Sequence, residues 1–296
     1  MSALRDMMGE IELQRRRGNF RGSENLIKLE MKQAETENND PYYHFYGGLL
    51  LYYFNRLKDA ILNLNNALLT RDHDIFYVEK YKGIVHLDLG EHEQAQDHLE
   101  KAMAIATKAK DSDWITSILT CLGNLHTRTG QFEQALTAYR KALDTAVVSK
   151  NTEWIETAAC NVGVAHNNLG DYAGSIPFFE DSYRLAVDMN DTLGKRVCLN
   201  NLGSVHNNLG KHTEALPLFE EALKYAHEVD DKYGARVVYN NLGYTYRLIG
   251  HLERASECYE LALTIARQIG DDMGARIAKY WIVAIHDEMK KLHAVH

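Results

Sequence analysis

The chain has 296 residues, 45% hydrophobic and 25% charged, with acidic side chains outnumbering basic ones 41 to 33 and a net charge of −8. That balance argues against nucleic acid as a partner, because tracking phosphates needs an excess of Lys and Arg. Four cysteines, Cys121, Cys160, Cys198 and Cys258, stand far apart with no CxxC spacing, a pattern of reduced thiols expected of a cytoplasmic protein. The N-terminal run MSALRDMMGEIELQRRRGNF scatters charges and has no signal-type apolar segment, and the apolar stretch 47–54 is too short to span a bilayer. No membrane partner is expected.

In chain order, Gly18, Phe20 and Leu26 suggest a first helical hairpin over about 4–36. Asn55, Ala60 and Ala67 mark a second over 41–72, so that 1–72 reads as two degenerate hairpins. A strict repeat follows. Gly83, Gly123, Gly163, Gly203 and Gly243 are each 40 residues apart, and Gly90, Gly130, Gly170, Gly210 and Gly250 follow seven residues behind. A ring recurs between them (His86, His126, His166, His206, Tyr246), and small residues recur after them at Ala95, Ala135, Ser175, Ala215 and Ala255. A second small column runs through Ala102, Ala142, Ser182, Ala222 and Ala262. This register predicts five hairpins over 76–269. Met273 to Leu292 then reads as a lone first helix, a cap over 273–293 of the kind a stack needs to cover its last apolar face.

The spacing within one copy predicts helices. Leu199, Leu202, Gly203 and His206 fall at i, i+3, i+4 and i+7, one apolar stripe. Gly210 supplies the left-handed conformation that ends the first helix. A second helix is predicted from about Lys211 to Val229, with Ala215, Phe219 and Ala222 inward. Gly203 and Ala215 are small because the two helices cross closely. The next unit opens at Asp230–Asp231, residues with the right chemistry to cap a helix start. Pro177 and Pro217 fall at equivalent places in second helices, where a local kink is expected.

Leu122-Gly123, His126, Gly130, Ala135, Tyr139 and Ala142 resemble the tetratricopeptide repeat. The period of 40 exceeds the usual 34, and the Asp-x-x-Gly-x-Arg run leading into Asn-Leu-Gly looks like the Pins-type spindle-orientation adaptors, less closely like kinesin light chains and the bacterial peptide receptors of the Rap and PlcR kind. The resemblance implies an all-α fold, a right-handed superhelical solenoid of about seven such hairpins plus the C-terminal capping helix. It also implies that first helices line a concave groove that holds a segment of a partner protein.

If Leu202, Gly203 and His206 pack inward, the opposite stripe is Val197, Asn201, Ser204 and Asn208. Its counterparts are Thr157, Asn161, Val164 and Asn168; Ser117, Cys121, Asn124 and Arg128; and Val237, Asn241, Tyr244 and Leu248. An asparagine series results: Asn161, Asn201 and Asn241, flanked by Asn124, Asn168, Asn200, Asn208 and Asn240. Asn offers both a donor and an acceptor to a partner's backbone; the same amides could instead bridge adjacent repeats. Arg196, Arg236 and Arg276 form a second series, suited to an acidic peptide or to ion pairs with neighbouring Asp or Glu. Tyr77, Tyr81, Tyr280 and Trp281 add rings towards the ends.

No GxxxxGK[ST], HExxH or GxSxG motif is present, so neither an enzyme nor a cofactor is expected. The histidine column is expected in the core; successive copies would lie about 10 Å apart, too far to share a metal. Three readings stand: a non-enzymatic adaptor that binds a peptide segment, a regulatory peptide receptor, and a structural subunit forming homo-oligomers through its ends. The adaptor ranks first.

Overall fold

The computed structural model describes residues 3–16 and 20–293, and Gly18 lies outside them. The described residues form fifteen α-helices and no strand. Contacts divide the chain into two compact units, 1–169 and 170–296. The first holds α1 (Ala3–Arg16), α2 (Phe20–Thr36), α3 (Asp40–Tyr53), α4 (Leu57–Asn66), α5 (Asp72–Leu89), α6 (His92–Ala109), α7 (Ser112–Arg128), α8 (Phe132–Ser149) and α9 (Thr152–Asn168). The second holds α10 (Tyr172–Asp188), α11 (Thr192–Asn208), α12 (His212–Glu228), α13 (Lys232–Leu248), α14 (Leu252–Ile269) and α15 (Asp272–His293). Within each unit the helices stack as successive hairpins, the architecture of an all-α solenoid.

The repeat columns explain why. Gly90, Gly130, Gly210 and Gly250 take φ between 74° and 80° just after a first helix, the left-handed turn that a residue without Cβ adopts without strain. The next first helix opens on a side-chain cap. Asp111 accepts from the Asp113 and Trp114 amides, and Asp231 and Asp271 accept from Gly234 and Gly274. These caps satisfy amides that would otherwise lack a partner at the helix start.

The first glycine column is a set of notches. A Cβ on Gly123 would stand 2.3 Å from the Tyr139 ring, one on Gly203 2.7 Å from Phe219, and one on Gly243 2.9 Å from Tyr259. All three rings are essentially buried. Gly123→Ala gains about 1 kcal/mol of helix propensity but forces a fully packed ring to move, which costs about 1–3 kcal/mol and more where the contact is shortest. A net loss is expected, read as a lowered urea midpoint with an unchanged slope.

Two differences from the sequence reading have physical causes. First, α1 and α2 form over 4–36, but α1 also packs on α5, two hairpins further along the chain. Second, the ring column is half-buried at the hairpin turns: His86 Nδ1 lies 2.6 Å from Glu91 and His126 Nδ1 2.7 Å from Gln131. Imidazole prefers this rim because both nitrogens need polar partners. The glycine column carries Val283 in its sixth copy, on the helix expected as a cap, and that side chain is 61% exposed. Helix α15 closes unit 2 with Ile285 and Trp281 against Leu252 and Tyr259.

Candidate protein-interaction face

First helices in unit 2 are α11, α13 and α15, and each spends one stripe on its own hairpin and its neighbours. The remaining stripe faces solvent. On α13 it carries Tyr233, Val237, Asn240, Asn241, Tyr244 and Leu248; on α15 it carries Met273, Ile277, Tyr280 and Ala284. Tyr233, Met273 and Tyr280 are 61%, 59% and 66% exposed, and Tyr244, Leu248 and Ile277 are each close to 40%. Large apolar side chains in contiguous helical register on adjacent helices, rather than scattered singly, mark an interaction surface.

The asparagine series divides by position. Asn241 Nδ2 donates to Asn200 Oδ1 at 2.7 Å, a bond between α13 and α11. The equivalent acceptor one repeat on is Asn240 Oδ1, which is buried without a hydrogen-bond partner. Its donor is missing because position 281, in register with Asn241, is Trp281. Asn201 lies half-buried on α11, and Asn208 is exposed at that helix's end. In unit 1, Asn161 is half-buried on α9, Asn168 is exposed at its end, and Asn124 accepts from the Tyr139 hydroxyl at 2.7 Å.

The arginines are engaged differently. Arg196 Nε lies 2.8 Å from Asp231 Oδ2, and Arg236 Nε 2.9 Å from Asp271 Oδ2. The Nε–H groups are not aligned for hydrogen bonds, so these contacts are electrostatic. The side chains are only 14% and 9% exposed, and Arg236 also lies over the Tyr233 ring at 4.7 Å. Each arginine reaches the capping Asp of the next first helix, over a glycine whose absent Cβ leaves the space: a Cβ on Gly234 would fall 2.6 Å from Arg196 Nε. The Asp-x-x-Gly-x-Arg run is thus a clamp between repeats. Arg276, third in the series, is exposed. Tyr233, Met273 and Ile277 carry a signal the sequence reading passed over: Ile277 is in 40-residue register with Val197 and Val237, Tyr233 and Met273 are in register with Leu193, and 233/237 and 273/277 are spaced i, i+4.

No group of three or more His, Cys, Asp or Glu among the described residues could hold a metal ion. All four cysteines are buried thiols, and burial pushes those of Cys121 and Cys258 up to about 11. No described helix is long and apolar enough to cross a membrane.

Comparison with known proteins agrees with the geometry. The family model for the tetratricopeptide repeat matches at residues 75–146, 114–187 and 195–268, well over half of the chain. The chain belongs to the tetratricopeptide repeat family. No curated protein matches it by sequence. Among solved structures, the tetratricopeptide chain is similar to a Rap protein in complex with competence and sporulation factor, with a TM-score of 0.68, 16% identity and coverage of 97% of this chain and 86% of that one. It is also similar to a signal transduction ATPase with a tetratricopeptide repeat sensor from Pyrococcus horikoshii, at TM-score 0.66 and 16% identity. The match covers 94% of this chain but only 45% of that one. A tetratricopeptide repeat protein from Parabacteroides merdae matches at TM-score 0.61 and 14% identity over 95% and 98% of the two chains. At these identities the likeness is one of fold. The narrower Pins-type likeness rests on sequence motifs alone.

Proposed function

We propose that this tetratricopeptide chain is a protein-interaction scaffold that holds a segment of a partner protein on the first-helix face of unit 2. The observation that carries the reading is the paired exposed stripe of Tyr233, Tyr244 and Leu248 on α13 and Met273, Ile277 and Tyr280 on α15. A partner segment covers these side chains with apolar groups of its own, gaining about 25 cal/mol per Å² of apolar surface buried. Arg276, exposed near the start of α15, favours an acidic residue of the partner. The role expected for Arg196 and Arg236 narrows to support, because their charge is already met by Asp231 and Asp271.

A second reading, a receptor for a short regulatory peptide, draws support from the fold shared with the Rap protein solved with competence and sporulation factor. It uses the same face and differs in the size of the ligand. Capture from source lysate tests both. Wild type, a Tyr244→Glu/Tyr280→Glu double variant and an outer-helix control, Lys224→Glu, are compared at matched helicity. A protein or peptide retained by wild type and control but reduced about 10-fold or more by the double variant, as expected for loss of central aromatic anchors, supports the face. Equal recovery from all three contradicts it.

A further inference from the structure

Helix α1 does not behave as the first element of the stack. It lies across the first helices of unit 1. Its apolar residues Leu4, Met8 and Ile11, spaced four and three apart, are all buried and join the core cluster that contains Phe76, Tyr77, Trp114 and Cys121. Arg5 pairs with Asp111 and reaches Asp113 at 3.8 Å, with its guanidinium 5.5 Å from the Trp114 ring. Glu12 accepts from Lys80 Nζ at 3.2 Å, and Arg15 lies over the Tyr53 ring at 3.8 Å. One short helix thus touches α3, α5 and the start of α7. Tyr77 and Lys80 stand in register with Val237 and Asn240, four 40-residue periods on. Helix α1 therefore sits on the same stripe of unit 1 that is exposed in unit 2.

The geometry points to a helix-binding site on this face of unit 1, whose ligand is an amphipathic helix of a partner protein with the pattern of α1, and to α1 as its built-in competitor. The ligand carries apolar residues at spacings of four and three. A basic residue follows the first of them, to meet Asp111 and Asp113, and an acidic residue follows the third, to meet Lys80. The argument for a partner, rather than α1 as permanent packing, is that α1 fills the site incompletely. Gly9 sits in the middle of the helix, where it weakens helix formation relative to alanine; it is exposed, and its Cβ would project into open space. A cavity opens beside it, lined by Arg5, Tyr77, Trp114, Ser117 and Trp154. The ion pairs of α1 are open to water on the α1 side, with Arg5 34% and Glu12 39% exposed. Lys80, by contrast, is nearly fully buried, so whatever displaces α1 must bring a carboxylate to replace Glu12. A partner helix with a longer side chain at the Gly9 position extends over this open cleft and retains the charge pattern. The site is separate from the unit 2 face, and failure of either leaves the other standing.

The test uses the full chain and, as probe, a fluorescein-labelled peptide of residues 3–16. Binding is followed by polarisation. Met8→Glu lifts α1 by placing a charge in its buried stripe, Arg5→Glu does so more mildly by repelling Asp111 and Asp113, and Gly9→Ala holds it down. Relative to wild type, the expected result is probe affinity raised about 10-fold in Met8→Glu, raised less in Arg5→Glu, and lowered roughly 2- to 5-fold in Gly9→Ala. A probe with Leu4, Met8 and Ile11 replaced by serine should not bind. Arg5→Glu keeps the test decisive if Met8→Glu fails to fold. Equal affinity across folded variants, or equal binding of the serine probe, overturns the proposal. So does a wild-type dimer that Arg5→Glu abolishes, which would assign the face to the α1 of a second copy.

Discussion

Truncating Phe219 to alanine lowers stability by about 3–5 kcal/mol, the range for removing a buried aromatic ring from a packed core. Phe219 is fully buried and lies in the notch of Gly203, among Leu199, Ala215, Val238 and Leu242. The loss is expected to be local, because repeats are stabilised mainly by their neighbours. Amide exchange in α11, α12 and α13 should accelerate while α3 to α6 keep their protection. The notch adds a sharper signature. Gly203→Ala alone is destabilising, since its Cβ meets the ring at 2.7 Å; in the Phe219→Ala background the same methyl enters a cavity and adds helix propensity. The substitution should change sign, a coupling of about 1–3 kcal/mol measured by a double-mutant cycle in urea. Additive effects would mean the ring does not set the helix spacing.

Asp231→Ala has the second large effect, about 3 kcal/mol. Two losses combine. The Gly234 amide loses its cap acceptor at 2.9 Å, worth about 1 kcal/mol. Arg196, 14% exposed, loses its counter-charge, and stranding a buried guanidinium is costlier than never having had the pair. Replacing Arg196 by methionine in the Asp231→Ala background should therefore recover part of the loss. No recovery would place Arg196 in water and return it to the candidates for partner contact. The comparison also separates stability from recognition: a single Arg196→Met variant that keeps its partner supports the structural assignment.

Much of this was legible in the sequence because it repeats. The two glycine columns, each at a period of 40, locate both helices of each hairpin, and the Asp230–Asp231 pair marks the helix start by its chemistry; the structure makes Asp231 the cap and puts Asp230 at φ 53°. The solvent-facing stripe follows from counting helical angle once the inward residues are known, so the 100° step alone puts Asn241 and Tyr244 on one face of their helix. What a helical wheel cannot give is the distance to the next repeat. Arg196 and Arg236 lie at the edge of the inward stripe of their helices and end on Asp231 and Asp271, and only the missing Cβ of Gly234 and Gly274 makes room for them. Column 114, 154, 194, 234, 274 reads Trp, Trp, Gly, Gly, Gly, a change from filling that space with a ring to leaving it for a guanidinium. The placement of α1 was out of reach for a different reason. Its Leu4, Met8, Ile11 stripe specifies that it buries one side, not which helices it meets, and it lies outside the 40-residue register.

The central claim is that a partner segment is held on the first-helix face of unit 2. Site-specific photo-crosslinking tests it most directly, with a benzophenone amino acid placed at Tyr244, at Tyr280 or, on the outer helix α12, at Lys224. Irradiation in source lysate is predicted to give one shared adduct from positions 244 and 280 and none from 224. An adduct from 224 with none from 244 or 280 would contradict the account and move the interaction to the outer face.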